Sequence, residues 1–359
     1  MNLRKLFVFI RVHSWLEKNP AFPRNLAADF LQYTCEQPEM KGNEHMKTIT
    51  KSALLSMKAK TNTLFGAVFF LLVIGAAALA LPPVALAQAD NTIVAWGIYG
   101  AGRIVPSPNR DFVDVAGGVA HNLGLKANGK LVAWGSNSDG QLNLPKPNSG
   151  FVAVAAGYTF NLALKSDGSI KAWGQNLFGQ TNVPAPNSGF VAIAAGINGH
   201  SLGLKSDGTI VAWGNNDSGQ CNVPTPNLGF VAIAAGANHS LGLKADGSIV
   251  KWAGSFVPEP NAGYVAIAAG ANFDLGLKSD GSIVAWGSID YGQLNVPEPN
   301  TGFVAIAAGA FHGLGLKADG SVVAWGRNDT GACNVPPPNT NFIGVASGVY
   351  HSLGIRAGD

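Results

Sequence analysis

Residues 190–229 read FVAIAAGINGHSLGLKSDGTIVAWGNNDSGQCNVPTPNLG, and close variants of this stretch recur along most of the chain. One tryptophan marks each copy: Trp96, Trp134, Trp173, Trp213, Trp252, Trp286 and Trp325. The intervals between them are 38, 39, 40, 39, 34 and 39 residues. A nearly constant period made of short β-type runs, without a helical stretch, is typical of a ring or solenoid of small sheets.

Each copy divides into three β-type runs. In the quoted copy we predict strands over Phe190–Ala195, His200–Lys205 and Thr209–Trp213. Asp207-Gly208 lies between the second and third runs, and this pair suits the type I′ turn of a tight hairpin. A G-x-N-x-x-G-Q loop and an N-V-P-x-P-N segment follow the tryptophan, and the segment forms either a fourth edge strand or a connector.

Both faces of the predicted second strand are closed to water. His200, Leu202 and Leu204 lie on one face, whereas the small residues Ser201 and Gly203 lie on the other. We expect the tryptophan of an adjacent blade to fill the room beside the small residues. The seven tryptophans are therefore interpreted as structural core between blades and not as a ligand site.

The repeats begin and end in the middle of a copy. Residues 93–97 resemble a third strand without its predecessors, and residues 342–355 supply a first and a second strand without a third. The two fragments add up to one unit, whereas an open solenoid would leave a bare edge at each end. The sequence predicts an all-β, seven-bladed β-propeller whose last blade is completed by the N-terminal strand.

The region upstream of the repeats has the features of an export signal. Lys58 and Lys60 precede an apolar run over residues 64–81, which is followed by two prolines and an A-x-A site ending at Ala89. Cleavage after Ala89 would release the propeller. An uncleaved membrane anchor is the alternative, because 18 apolar residues are just long enough to span a bilayer.

Three segments follow from this interpretation. Residues 1–45 are predicted to be an overcalled start or a disordered or helical extension, because the leader is too long for an ordinary signal peptide. Residues 46–89 are predicted to be the signal peptide or anchor, and residues 90–359 the seven-bladed propeller. The expected location is secreted, periplasmic or in the cell envelope, with membrane contact only through an uncleaved leader.

Charge argues against a nucleic-acid partner. The whole chain has a formal charge of +3, with 24 Lys and Arg against 21 Asp and Glu. Residues 1–89 hold ten of the basic and five of the acidic residues, so the remainder has 14 against 16 and a charge of −2. A mildly acidic surface gives no electrostatic footprint for nucleic acid. We expect a monomer that binds a protein partner.

Two cysteines of the repeats occupy the same position in different copies. Cys221 and Cys333 lie three units apart, which places them nearly across the diameter of a seven-fold ring. That separation is far beyond the roughly 7 Å between Cα atoms that a disulfide allows. Both are predicted to be free thiols.

The pattern G-x-x-H-S-L-x-L-x-x-D-G-x-V-x-x-W-G-x-N-x-x-G-Q, seen over Gly236–Trp252 and with small departures in the other copies, resembles the regulator of chromosome condensation repeat. The resemblance covers residues 91–357. It implies a propeller fold, and the founding member of that family is a guanine-nucleotide exchange factor. The short repeat and the leader are more similar to secreted bacterial members such as the propeller-type β-lactamase inhibitory protein.

The histidines of the repeats stand in one column. They are His121, His200, His239, His312 and His351. Phe160 and Phe273 replace them in the other two copies, and a phenyl ring supports neither metal binding nor acid–base chemistry. The column is therefore interpreted as structural. Because no catalytic motif, phosphate loop or paired carboxylates occur either, we predict a non-enzymatic protein without a metal or cofactor.

Large side chains vary at one end of the predicted propeller. The candidates for protein binding are Tyr99, Tyr158, Phe178, Tyr291, Phe311 and Tyr350. Rigid aromatic side chains are favoured at protein–protein hot spots. This end is also asymmetric, since the stretch from Trp252 to Pro258 lacks five residues of its loop and Gly199 adds one residue to a turn. Drift in a tolerant loop is the alternative explanation.

Three functions remain open from the sequence. The first is a secreted, non-enzymatic binding module that presents its aromatic face to a protein, including as an inhibitor of an extracellular enzyme such as a β-lactamase. The second is a guanine-nucleotide exchange factor, which the family resemblance implies and export disfavours. The third is a propeller lyase or lactonase, which the small inventory of polar residues disfavours.

Overall fold

The computed structural model describes residues 90–97, 104–254 and 256–358, and every regular element in these residues is a β-strand. The strands form seven three-stranded sheets, which we number as blades 1 to 7 in chain order. The prediction of an all-β, seven-bladed propeller is thereby confirmed. The segments predicted over residues 1–45 and 46–89 lie outside the described residues. Within the described residues, no helix has the length and hydropathy needed for a membrane span.

Blades 1 to 3 contain β2 (Phe112–Gly117), β3 (His121–Lys126), β4 (Leu131–Gly135), β5 (Phe151–Ala156), β6 (Phe160–Lys165), β7 (Ile170–Gly174), β8 (Phe190–Ala195), β9 (His200–Lys205) and β10 (Ile210–Gly214). Blades 4 to 6 contain β11 (Phe230–Ala235), β12 (Ser240–Lys244), β13 (Ile249–Trp252), β14 (Tyr264–Ala269), β15 (Phe273–Lys278), β16 (Ile283–Gly287), β17 (Phe303–Ala308), β18 (His312–Lys317) and β19 (Val322–Gly326). Blade 7 contains β20 (Phe342–Ser347), β21 (His351–Arg356) and β1 (Thr92–Gly97).

Neighbouring strands within each blade are antiparallel. The first strand of every blade contacts the first strands of both adjacent blades, so these strands surround the central axis and the third strands lie outermost. A bulge follows the leading aromatic residue in each first strand, for example between Phe190 and Ala192. A bulge increases local twist.

The hairpin turn differs from the predicted type. In blade 3 the Gly208 amide donates to the Lys205 carbonyl at 3.0 Å, and only Gly208 takes a positive φ, of 81°. A type I′ turn needs positive φ at Asp207 as well, so that prediction is wrong. The observed turn is type I followed by a left-handed glycine. Asp207 accepts hydrogen bonds from the Thr209 hydroxyl and amide, which lower its pKa.

The proline-containing segment is a connector and forms no fourth strand. Its asparagine instead binds one residue of the outermost strand through two hydrogen bonds. In blade 2, Ile170 N donates to Asn187 Oδ1 at 2.7 Å, and Asn187 Nδ2 donates to Ile170 O at 2.9 Å. The same pair of bonds occurs in all seven blades: Asn109 with Ile93, Asn148 with Leu131, Asn227 with Ile210, Asn261 with Ile249, Asn300 with Ile283 and Asn339 with Val322.

Blade 7 joins distant parts of the chain. β1 pairs antiparallel with β21, and Trp96 lies opposite Ser352. The indole Nε1 of Trp96 also donates to the carbonyl of Ala332 at 2.8 Å, across 236 residues of sequence. The third strand of this blade is therefore supplied from the beginning of the repeat region.

Blades pack through leucines and aromatic rings. Leu202 and Leu204 of blade 3 contact Phe230 and Trp252 of blade 4. The indole of Trp252 thus covers the leucine face of blade 3. The room beside the small residues is filled from the same blade, and not from an adjacent one as expected. A Cβ added at Gly313 would lie 2.5 Å from the Trp325 ring, and one added at Gly203 would lie 2.5 Å from the Phe190 ring.

The two cysteines of the repeats are free and half-buried. Burial raises the pKa of both Cys221 and Cys333 to about 11. Because the thiolate is the nucleophilic form, these thiols are poorly suited to catalysis near neutral pH.

Candidate functional site

The turns between first and second strands and the loops after third strands lie at the same end of the propeller, which we call the loop end. Backbone hydrogen bonds join the two kinds of segment. The Ser136 amide donates to the Ala120 carbonyl at 2.8 Å, and the Arg327 amide donates to the Phe311 carbonyl at 2.9 Å. Side chains that vary between copies in either segment are therefore presented on one surface.

Small apolar residues pack at the centre of the loop end. Ala237, Ala271, Ala310 and Val349 form one buried cluster, to which one residue comes from each of blades 4 to 7. Their turns are also linked from blade to blade, since Ala271 N donates to Ala310 O at 3.1 Å and Ala310 N donates to Val349 O at 3.3 Å. The loop end therefore has an apolar, hydrogen-bonded centre.

Three of the predicted aromatic residues form one cluster beside this centre. The ring centroids of Tyr291 and Phe311 are 5.1 Å apart in an edge-on arrangement, and those of Phe311 and Tyr350 are 6.3 Å apart in a stacked one. Tyr291 is 45% exposed, and the other two are half-buried. We call Tyr291, Phe311 and Tyr350 the aromatic cluster.

A cation lies over the aromatic cluster. The Arg327 guanidinium carbon is 4.9 Å from the Tyr291 centroid and 5.4 Å from the Phe311 centroid. Arg327 also donates two hydrogen bonds to Asp329, at 2.9 and 2.6 Å. That carboxylate raises the pKa of Arg327. The two hydrogen bonds to Asp329 and the contacts with the two rings fix the orientation of the Arg327 guanidinium, which stays partly accessible to solvent.

The other predicted aromatic residues are separate from this cluster. Tyr158 is 43% exposed and Phe178 is 48% exposed at the loop end, and neither makes a ring contact with the aromatic cluster in the described part of the chain. Phe178 lies over Gly199, the added residue of its turn, where a Cβ would come within 2.8 Å of the ring and where φ is +86°. Tyr99 lies outside the described residues.

The tryptophans lie between blades and bind the loops of their neighbours. Six are 2–7% exposed, and Trp173 is partly exposed. The indole Nε1 of Trp213 donates to the main-chain carbonyl of Gln180 in the preceding blade, at 2.8 Å. Equivalent bonds join Trp173 to Gln141, Trp252 to Gln220, Trp325 to Gln293 and Trp96 to Ala332.

The histidine column makes contacts between blades as well. His200 Nε2 lies 3.1 Å from Ser240 Oγ in the next blade, and that hydroxyl donates its own proton to the Gln220 carbonyl. The hydroxyl must therefore accept from the histidine, which fixes the neutral tautomer with its proton on Nε2. Phe160 replaces histidine beside Ser201, and Phe273 replaces it beside Gly313, where the neighbour has no side chain to bind.

One junction between blades carries buried charges. Asp274 accepts from Lys251 Nζ at 2.6 Å, and His239 Nε2 lies 2.6 Å from its other oxygen. The side chains of Asp274, Lys251 and His239 are 0%, 4% and 6% exposed. In blade 3, by contrast, Ala212 and Ser201 occupy the positions of Lys251 and Asp274. We call Lys251, Asp274 and His239 the charged triad.

The regulator of chromosome condensation (RCC1) repeat model matches residues 112–141, 151–180, 190–220 and 303–332. Each match begins at the first strand of one blade and ends in the loop after its third strand. RCC1 repeats therefore form four of the seven blades, blades 1, 2, 3 and 6. A search of curated protein sequences gives no match.

Several solved structures share the fold of this chain. The structure of Kap60 bound to yeast RCC1 (Prp20) matches with 21% identity and a TM-score of 0.63, over 75% of this chain and 89% of that chain. Prp20p from Saccharomyces cerevisiae, studied with its binding to Gsp1p and histones, matches with 20% identity and a TM-score of 0.62, over 76% and 93%. The ectodomain of the Arabidopsis thaliana receptor kinase ACR4 matches with 25% identity and a TM-score of 0.56, over 69% and 92%.

The inner strands of the propeller carry one carboxyl that the sequence did not single out. Asp114 accepts hydrogen bonds from Val115 N at 2.9 Å and Val154 N at 3.1 Å. Burial raises its pKa to about 6, against the opposing effect of these two amides. The other inner strands have Ala or Gly at this position, so Asp114 has no second carboxyl across the ring. Among the described residues, no group of three or more His, Cys, Asp or Glu is arranged to hold a metal ion.

The charged triad was also missed, although the aligned copies contain its signal. Lys251 stands in a column that is otherwise alanine, and Asp274 stands in a column of serine, asparagine and glycine. Both exceptions adjoin the loop that lacks five residues. Aligning the seven copies and comparing the residues at every equivalent position, and not only at the histidine position, would have found the triad.

Proposed function

We propose that this chain is an exported, non-enzymatic binding propeller that contacts a protein partner through the aromatic cluster and Arg327. The accessible, mutually packed group of Tyr291, Phe311 and Tyr350 is the observation that carries the proposal. Tyr158 and Phe178 lie at the loop end outside the aromatic cluster and are predicted to make peripheral contacts only. Tyr99, which lies outside the described residues, stays a prediction.

The chemistry of the cluster suits protein recognition. Tyrosine and arginine are enriched at hot spots, and side chains that are already held in place lose little conformational entropy on binding. Here the rings pack on one another and Asp329 fixes the guanidinium, so the surface is ordered before a partner arrives. Because the cation is accessible above the rings, a partner with an acidic group beside an apolar one would match it.

Relatives with the same fold support a protein partner. Yeast Prp20 has been crystallised with Kap60 and studied for its binding to Gsp1p and histones. Sequence identities of 20–21% show that the fold is shared and do not show that the partners are. We therefore propose a protein as the class of partner and transfer none of these partners to this chain.

Catalysis in the central channel is a weaker candidate. Apart from Asp114, the inner strands carry polar side chains only at Tyr264 and Ser347. A lone carboxyl without a second acid, a base or a nucleophile does not form a catalytic constellation. The inhibitor and exchange-factor alternatives both use a protein partner, and the same variants test them.

We expect Tyr291→Ala combined with Phe311→Ala to reduce capture of a specific partner from the native medium at least tenfold, since two hot-spot truncations of about 1–2 kcal/mol each lower affinity by that order. Labelled wild-type and variant proteins should be compared as baits by quantitative mass spectrometry. The melting temperature should fall modestly with cooperative unfolding retained, because Tyr291 is largely exposed whereas Phe311 is half-buried against the apolar centre of the loop end.

Tyr158→Ala is the matched control, because Tyr158 is 43% exposed against 45% for Tyr291 and lies at the same end. It removes the same side chain outside the aromatic cluster, and we expect capture to fall less than threefold. Equal losses for Tyr158→Ala and Tyr291→Ala would show that the cluster is not the centre of the interface. No loss in the double variant would rule out the proposed surface.

Export has its own test. We expect the protein expressed from its native gene to appear outside the cytoplasm with Asp90 as its first residue, because the A-x-A site ends at Ala89. N-terminal sequencing of the fractionated protein measures this. An intact leader in the membrane fraction would support the anchor instead, and a cytoplasmic protein would contradict export.

A further inference from the structure

Blade 5 has an isoleucine where the loops of four other blades have an asparagine. Ile289 stands two residues after the glycine that follows the tryptophan. In blade 2 this position is Asn176, whose Oδ1 accepts from Thr181 N at 3.0 Å and whose Nδ2 donates to Asn182 Oδ1 at 2.9 Å. The same two bonds are made in blades 1, 3 and 6 by Asn137, Asn216 and Asn328.

The rest of the blade 5 loop keeps the shared structure. Tyr291 N donates to Gln293 Oε1 at 2.7 Å, and Asn295 N donates to Gly292 O at 3.0 Å. The two equivalent bonds of blade 2 are both 2.9 Å long. Asn295, the counterpart of the side chain that the asparagine binds in blade 2, is also retained. Ile289 therefore gives up two hydrogen bonds while the loop keeps its conformation.

The Ile289 side chain gains no burial in exchange. It is 72% exposed and belongs to none of the hydrophobic clusters of the described residues. Tyr291 of the aromatic cluster, two residues further on, is 45% exposed. A residue that breaks a local rule without a compensating gain inside the fold is expected at a functional site.

We infer that Ile289 is a specificity-determining contact of the proposed interface and that it inserts into an apolar recess on a folded protein partner. The inference rests on the proposed function and adds the shape of the partner, since a projecting side chain is buried best by a concave surface. Asp290 lies beside it and forms no ion pair with a cation of the described residues. A basic group at the rim of the recess complements this carboxylate.

Ile289→Asn should make the protein more stable, which is the first test. The variant restores both asparagine bonds in a loop that already has their partners, and we expect the melting temperature to rise by about 2–4 °C. Scanning calorimetry measures the change, with Ile289→Val as a control that restores no bond and should leave the melting temperature unchanged. An equal or lower melting temperature for Ile289→Asn would mean that isoleucine supports the loop, and it would overturn the inference.

The second test maps the contact by photo-cross-linking. Benzoylphenylalanine placed at position 289 should cross-link, in the native medium, to apolar residues that line a recess of one folded protein, identified by mass spectrometry. Capture of that same protein should fall at least fivefold with Ile289→Asn and less than twofold with Ile289→Val. Leu177 is the matched control site, because it is 78% exposed in the blade 2 loop. Benzoylphenylalanine there should give no cross-link to this protein, and Leu177→Asn should lower capture less than twofold.

Asp290→Asn tests the basic rim. We expect capture to fall two- to fivefold at low ionic strength and to approach that of the wild type in high salt, because salt screens the lost attraction. Equal capture by the variant and the wild type at low ionic strength would exclude a basic group opposite Asp290.

The opposite results overturn the inference without deciding the fate of the aromatic cluster. Full capture by Ile289→Asn, or equal cross-linking from positions 289 and 177, would reject Ile289 as a contact. Cross-links to an extended segment would reject a folded recess. Capture that is lost with Ile289→Asn but survives Tyr291→Ala with Phe311→Ala would reject the aromatic cluster and keep Ile289. A wild-type protein that captures nothing would contradict the proposed function and this inference together.

Discussion

Asp274→Ala should lower the free energy of unfolding by about 3–5 kcal/mol, the loss expected when one partner of a buried ion pair is removed. The Lys251 ammonium would remain 96% buried without its counterion, because its side chain is 4% exposed, and His239 would lose its acceptor at 2.6 Å. Equilibrium denaturation in urea at neutral pH measures the effect. A loss below about 1 kcal/mol would show that water reaches Lys251.

The double variant Lys251→Ala with Asp274→Ser provides the control. It restores the residues that blade 3 has at these two positions, Ala212 and Ser201, and leaves no unpaired charge. We expect it to recover most of the stability lost by Asp274→Ala, since replacing a buried ion pair by uncharged residues is often nearly neutral. If the double variant is as unstable as Asp274→Ala, the loss of stability comes from packing and not from the unpaired charge of Lys251.

The second large expected effect is a loss of stability in mild acid. Burial lowers the pKa of His200, His312 and His351 from 6.5 to about 4. Between these values the unfolded chain binds more protons than the folded one, so stability is complete above pH 6.5 and falls as pH drops toward 4. Each of the three contributes on the order of 3 kcal/mol over the full window.

One group opposes this trend. The pKa of Asp114 is raised from 3.8 to about 6, so the folded state binds the extra proton there and gains stability as pH falls through 6. Because three histidines reduce the free energy of unfolding in mild acid and one aspartate increases it, the protein loses stability overall as the pH falls. Urea denaturation at pH 7 and pH 5 should therefore give a lower midpoint at pH 5.

His200→Phe tests the cause of the acid sensitivity. Phe160 shows that this column accepts a phenyl ring beside a serine, because Ser201 still donates to the Gln180 carbonyl there. We expect the variant to fold and to lose less stability between pH 7 and pH 5 than the wild type. An unchanged difference would mean that His200 is not among the groups that titrate on unfolding.

The sequence predicted the fold because the determining features are local to each copy. The β8 and β9 bounds, Phe190–Ala195 and His200–Lys205, match the predicted runs, since alternation and turn residues define them within one repeat. The turn type was wrong, and so was the expectation that the tryptophan beside the small residues comes from an adjacent blade. Both depend on how one segment meets another, through the left-handed Gly208 in the first case and the pairing of Trp213 with Ser201 in the second.

The site was less predictable because the ring assembles it from separate blades. Asp274 is 35 residues from His239 and 23 from Lys251 along the chain, and only the packing of blade 4 on blade 5 brings them together. Five of the six aromatic residues predicted at one surface lie in the described part of the chain, and among these Tyr291, Phe311 and Tyr350 are in contact. Their grouping depends on the rotation between successive blades, which no single repeat specifies.

The pairing of β1 with β21 affects how the protein is made. The ribosome releases β1 before any complete blade exists, and the Ala332 carbonyl that receives the Trp96 indole follows 236 residues later. Throughout that interval the strand has an unsatisfied edge and an uncovered indole, both of which promote aggregation. A chain that lacks β21 would leave β1 without its partner strand, so the ring cannot close until the last strand has been made.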